Sequence, residues 1–151
     1  GAVATLAPDF EFEVYQGASL AAGERIRLSD LRGKPVVLNF FAGLCPPCRA
    51  EMPGFQAVDE RFGDAVMVLG IDAGPFTGLG SRSDGQSLLV ELGMTYPAGA
   101  ALNSSEVAPY QILGMPTTIF IDAEGAIQRR WTSFLPDQTL VTMVEELSQA
   151  S

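Results

Sequence analysis

Apolar and polar residues alternate along Phe10-Glu11-Phe12-Glu13-Val14 and again along Arg25-Ile26-Arg27-Leu28, the period of strands buried on one face. The small residues between 17 and 23 turn the chain, so these strands are expected to pair as a hairpin ahead of the main fold. Val36-Val37-Leu38-Asn39-Phe40-Phe41 is apolar on both sides of its pleat, as in a central strand covered on both faces. Over 49–62 the period lengthens. Met52, Phe55, Val58 and Phe62 recur every three or four residues and mark one buried helical face, which Pro53 is expected to kink. A second apolar run at 66–71 predicts another strand, and the glycine-rich stretch 72–85 predicts a long loop, long enough to carry a function. Residues 87–92 read as a helix ended by Gly93, and Ser104, Ser105 and Glu106 could cap a short helix reaching Tyr110. Thr117-Thr118-Ile119-Phe120-Ile121, the turn Asp122-Ala123-Glu124-Gly125 and the strand 126–132 form a second hairpin. Pro136-Asp137 opens a last helix with Leu140, Val144 and Leu147 on one face. The order ββ-β-α-β-α-α-β-β-α predicts an α/β sandwich, one mixed sheet with helices on both faces. Residues 1–151 read as a single domain with 1–7 as a loose lead-in, and no repeat interrupts them.

Composition narrows the classes. A chain of 151 residues, 47% hydrophobic and 18% charged, holds an ordered core without covalent staples. Nine basic against eighteen acidic residues give a net charge of −9, and there is no histidine. That balance argues against a nucleic-acid partner and against electrostatic attachment to anionic lipid, and its simplest meaning is solubility. No apolar run reaches the roughly 18 residues a spanning helix needs, and no charged n-region with an apolar h-region is present. Residue 1 is Gly rather than Met, as expected of a processed or trimmed chain whose leader or anchor would lie outside it.

The candidate chemistry is Cys45-Pro46-Pro47-Cys48, which holds both cysteines of the chain. The pair stands where the strand 36–41 runs into the helix, and Pro46 and Pro47 suit a first turn whose N–H groups are unpaired anyway. At a helix N-terminus the free N–H groups and the macrodipole favour a thiolate over a thiol. Such a thiolate attacks a disulfide, and a second thiol within reach resolves the mixed intermediate. A purely structural cross-link would close only a tiny loop and stabilise little. Two thiolates could instead carry a soft ion such as Cu(I), whereas a closed zinc site wants four ligands. Gly78-Leu79-Gly80-Ser81 invites a nucleotide reading, but Ser83 breaks G-x-G-x-x-G and no Walker lysine follows.

Three ordered motifs carry a family likeness. They are Lys34-Pro35-Val36-Val37-Leu38-Asn39-Phe40, then Cys45-Pro46-Pro47-Cys48-Arg49-Ala50-Glu51-Met52-Pro53, then Gly114-Met115-Pro116-Thr117-Thr118. With Ala7-Pro8-Asp9-Phe10 and Ile121-Asp122-Ala123-Glu124-Gly125, they resemble the TlpA/ResA/CcmG-like thioredoxin-fold proteins over nearly the whole chain. The resemblance implies a thioredoxin fold with an N-terminal β-hairpin extension. It also implies an extracytoplasmic thiol–disulfide oxidoreductase, bacterial and without a cofactor, tethered to the membrane only through an N-terminal segment absent from this chain. Its implied partners are protein thiols and disulfides, among them apocytochrome c and a membrane thiol–disulfide reductant. No exposed apolar stripe demands a dimer, so a monomer is expected. Cys45 would be the attacking sulfur and Cys48 the resolving one. Pro116 would be cis and face them, with Met115, Pro116 and Thr117 docking the partner. Asn39 stands where thioredoxin has a buried acid, so proton handling passes to Glu51, whose spacing from Cys48 puts both on one helical face. A solvated first-turn acid is the plain alternative. Where family members carry Trp, this chain has Leu44, a smaller apolar contact. Arg49 could lower the Cys45 pKa or simply be solvated. A peroxiredoxin-type peroxidase shares the fold, but needs one activated cysteine with Thr or Ser and Arg, and no resolving thiol at Cys48.

Overall fold

Val36–Phe41 (β3) is buried at every position, with β4 (Met67–Asp72) parallel on one side and β6 (Thr117–Ile121) antiparallel on the other. The computed structural model describes residues 4–17 and 19–149, and places β1 (Glu11–Gln16), β2 (Arg25–Arg27), β5 (Ala98–Ala101) and β7 (Ile127–Thr132) in the same sheet. The strand order is β2-β1-β5-β4-β3-β6-β7. Both expected hairpins form, with Phe12 opposite Ile26 in the first and Thr118 opposite Trp131 in the second.

The pleat of β3 divides the core. Val37 and Phe41 point towards α1 (Pro46–Phe62), α3 (Arg82–Leu92) and α5 (Asp137–Gln149), packing with Met52, Phe55, Leu88 and Val144. Val36, Leu38 and Phe40 point the other way, onto Phe10, Leu28, Val107 and Tyr110. That second face is closed by the 3-10 turn Leu28–Leu31, the one-turn α4 (Ser104–Val107) and the 3-10 turn Ala108–Tyr110. Asn39 shares the α1 side of the pleat with Val37 and Phe41, so it is the one polar residue that β3 aims at α1.

Several expectations are corrected. The stretch 72–85 is not an open loop: it holds α2 (Gly74–Thr77) and the first turn of α3, which begins at Arg82 rather than 87. Ser81 caps α3 through a reciprocal box with Asp84, a signal masked by the surrounding glycines. Strand β5 had no sequence signal because Ala98-Gly99-Ala100-Ala101 lacks large or branched residues. A Cβ at Gly99 would collide with the Glu13 carbonyl and lie 2.9 Å from the Phe12 ring, so the close approach of β1 selects small residues there. The short helix at 104 is preceded by Asn103, not capped by Ser104 or Ser105. The lead-in is pinned from residue 5: Thr5 accepts from the Ile127 N–H and the Ala7 N–H donates to Gly125, both at 2.8 Å. Residues 1–3 of that expectation lie outside the described residues. Pro53 lies within a single continuous helix, α1.

Candidate active site

Cys45 is the N-cap of α1, in extended backbone, with Pro46 and Pro47 as the first helical residues. A disulfide joins it to Cys48, with Cα atoms 5.3 Å apart. The Cys48 N–H points at the Cys45 sulfur, 3.3 Å away, one of the unpaired donors every helix start offers. After reduction the same donor favours negative charge on that sulfur. The two sulfurs differ in access: Cys45 keeps 4% of its surface and Cys48 none. A shallow open depression lined by Gly43, Leu44, Cys45, Pro46 and Arg49 leads to the first of them.

Below the disulfide lies a buried polar cluster. Glu51, one turn beyond Cys48 on α1, is 1% exposed. One carboxylate oxygen accepts from Asn39 Nδ2 at 2.8 Å and the other from the Leu135 N–H at 3.1 Å. Asn39 also donates to Thr118 Oγ1 at 3.2 Å, across the β3–β6 register. Burial pushes the Glu51 carboxyl up to about 7, and the two hydrogen bonds only partly oppose that shift. The solvated alternative is therefore excluded by its surroundings. Sequence reasoning found Glu51 and Asn39 but not their bond, nor the Leu135 amide 84 residues away.

The remaining candidates divide. Leu44 is 61% exposed beside Cys45, its N–H held by the Leu79 carbonyl at 2.8 Å. The Met115-Pro116 bond is cis, Pro116 is buried, and Met115 packs half-buried against both core clusters. Thr117 has no exposed surface, and its hydroxyl donates to the Gly114 carbonyl at 2.7 Å, so its side chain ties the loop rather than facing a partner. Arg49 forms a two-pronged ion pair with Glu91 at 2.7 and 2.9 Å, which neutralises the charge that was a candidate for acting on Cys45. Gly43 lets this segment lie against the first turn of α3. A Cβ there would strike the Asp84 backbone and fall 2.6 Å from Gly85 N. Gly43→Ala is expected to cost about 1–3 kcal/mol as an overpacked contact. A lower urea midpoint at unchanged slope would report it.

Sequence analysis missed Asp72, the fully buried end of β4. Its carboxyl is pushed up to about 6, chiefly by burial. An acid ending an otherwise apolar strand was the available signal.

The fold and this site have counterparts. A model of the AhpC/TSA family matches residues 3–130. The chain belongs to the AhpC/TSA family. Among curated relatives, thiol-disulfide oxidoreductase ResA of Oceanobacillus iheyensis is 33% identical over 129 residues, covering 83% of this chain and 62% of that protein. Thioredoxin-like protein YneN of Bacillus subtilis is 31% identical over 124 residues, covering 81% and 66%. The chain thus spans about two thirds of the length of these relatives. Among solved structures, the exposed lipoprotein thioredoxin Etrx1 of Streptococcus pneumoniae superposes with a TM-score of 0.77 at 27% identity, covering 92% of this chain and 99% of that one. This AhpC/TSA chain therefore has the thioredoxin-like architecture and carries the ResA-like motifs on it. No helix among its described residues is long and apolar enough to cross a membrane.

Proposed function

We propose that this chain is a thiol–disulfide oxidoreductase that exchanges its Cys45–Cys48 pair with protein partners. One observation carries the reading: a disulfide between a helix N-cap cysteine with residual access and a buried cysteine, with a buried carboxylate titrating near neutrality one turn on. In the reducing direction the Cys45 thiolate attacks one sulfur of a partner disulfide. A mixed disulfide forms and the partner's other sulfur leaves as a thiolate. Cys48 then gives its proton to Glu51 and attacks the Cys45 sulfur. The Cys45–Cys48 bond closes, the partner's second sulfur leaves, and two electrons have passed to the partner. Oxidation of a partner dithiol is the same path reversed. Asn39 holds the Glu51 carboxylate in place. Leu44 supplies the apolar contact beside Cys45, Met115 and Pro116 dock the partner chain, and Thr117 braces that loop from within.

Protein thiols and disulfides are the substrate class. An extracytoplasmic location suits a persistent disulfide and accords with the exposed-lipoprotein character of the pneumococcal relative. Apocytochrome c and a membrane reductant are the partners that the ResA-like motifs suggest. The Arg49–Glu91 pairing and the resolving Cys48 both favour dithiol exchange over the peroxidase alternative.

Equilibration with glutathione buffers, followed by the two-hydrogen mass difference, tests the proposal. A reversible two-electron couple is expected between about −270 and −120 mV, the span of known exchange proteins. A pair that stays oxidised throughout glutathione's range would instead be a structural cross-link, and the proposal would fall.

A further inference from the structure

The exchange chemistry leaves Asp72 unused, yet the residue is fully buried at the end of β4, one strand away from Phe41 and the segment leading to Cys45. It lies on the side of the sheet that faces α3. Its Oδ2 accepts from the Tyr15 hydroxyl at 3.0 Å and its Oδ1 from the Gly74 N–H at 2.8 Å. The bonding continues from there. The Gly74 carbonyl accepts from the Leu79 N–H at 3.2 Å, and the Leu79 carbonyl accepts from the Leu44 N–H at 2.8 Å. Leu44 immediately precedes the attacking sulfur.

A second line of contact runs in parallel. A Cβ on Gly85 would strike the Asp72 carboxylate, its Cγ only 2.7 Å away, so the carboxylate rests directly on the α3 backbone. The same stretch of backbone meets Gly43, whose own absent Cβ would fall 2.6 Å from Gly85 N. Hydrogen bonds and close backbone packing thus converge on the two residues before Cys45. The outer end is anchored as well: Arg82 stands 5.6 Å above the Tyr15 ring and pairs with Glu13 at 2.8 Å.

We infer that Asp72 is a positioning residue of the exchange site, holding the 73–80 turn so that Leu79 fixes Leu44 and presents it, with Cys45, to the partner. The inference rests on the exchange reading above and gives the glycine-rich stretch its purpose. Removing the carboxylate leaves the buried Gly74 N–H without a partner and takes the acceptor from the half-buried Tyr15 hydroxyl, which loosens the turn. Asparagine keeps both bonds, its oxygen accepting from Gly74 and its amide donating to the tyrosine oxygen.

Amide hydrogen exchange at Leu44 and reduction of a cystine-bridged peptide, measured on D72A, D72N and Y15F, test the inference. D72A is expected to speed Leu44 exchange about tenfold and to slow peptide reduction about five- to tenfold, the worth of one or two hydrogen bonds. Alkylation of reduced Cys45 by iodoacetamide should stay within about twofold, because Cys45 keeps its own helix start. D72N should restore both affected readouts to within about twofold, and Y15F should fall between. If D72A does not fold, Y15F and D72N decide: faster Leu44 exchange in Y15F but not in D72N upholds the inference. Unchanged Leu44 exchange in Y15F and in any folded D72A overturns it, and so does an asparagine variant no better than alanine. A wild-type protein inert towards the peptide would remove the exchange reading, while the Leu44 amide would still decide the place of Asp72.

Discussion

Cys45→Ser is expected to abolish disulfide exchange, and Cys48→Ser to halt it midway with the partner covalently held on Cys45. The two outcomes differ because the sulfurs stand in different surroundings. Cys45 caps α1 beneath the Cys48 N–H and retains a sliver of surface, while Cys48 has none. An incoming disulfide can therefore meet Cys45 alone, and the internal attack of Cys48 is the only short path out of the mixed intermediate. Without Cys45 the rate should drop to that of the uncatalysed background. Without Cys48 the first bond still forms, and non-reducing electrophoresis with peptide mass mapping should find the adduct on Cys45. Full activity in Cys45→Ser, or an adduct on Cys48 in wild type, would contradict the proposed order of attack.

Glu51→Gln should act on both rate and stability, in opposite senses. The carboxyl's ordinary value is 4.5 and its folded value about 7. Between these the unfolded chain releases the proton and the folded chain keeps it, so stability falls as pH rises through this window and levels off above it. The gap corresponds to roughly 3 kcal/mol, absent below 4.5 and full above 7. Glutamine cannot ionise and escapes this loss. Part of the gain is offset by rearranged bonds at Asn39 and Leu135, although Asn39 Oδ1, without a partner among the described residues, can accept from the new amide. The variant should match wild type in denaturant melts at pH 4 and exceed it by about 1–3 kcal/mol at pH 8. Its exchange should nevertheless be slower by about 10²-fold, the usual worth of a positioned base. The mixed disulfide should persist, and the wild-type rise in rate around pH 7 should disappear. A variant with the wild-type pH profile would relieve Glu51 of the proton.

Much of this arrangement was legible in the residues. Continuous burial of Val36–Phe41, the period of α1 and the two hairpins followed from apolar spacing, Cys45 and Cys48 from their place where a strand runs into a helix, and Glu51 from the family resemblance together with its spacing from Cys48. What escaped were features set by contacts between distant segments. Strand β5 carries alanine and glycine because β1 presses against it, so its signal lies in its neighbour. The 73–80 turn looked like an open loop because Gly74 and Gly80 mark close approaches to the Asp72, Leu44 and Asp84 side chains, while Gly78 supplies a left-handed turn in open space. The Leu135 amide belongs to the residues between β7 and α5, and no local pattern links it to a carboxylate on α1.

The outer strands, β2 and β7, carry Arg25 and Arg27 at one margin and Arg129 and Arg130 at the other. Four of the nine basic residues of an otherwise acidic chain thus stand on the two outermost strands of the sheet among the described residues. Docking a second copy margin to margin would set arginine against arginine, although Arg27 is already paired with Asp9 and Glu11, and the start of β7 is covered where the Ile127 N–H meets Thr5. Charged edges of this kind guard against runaway strand addition.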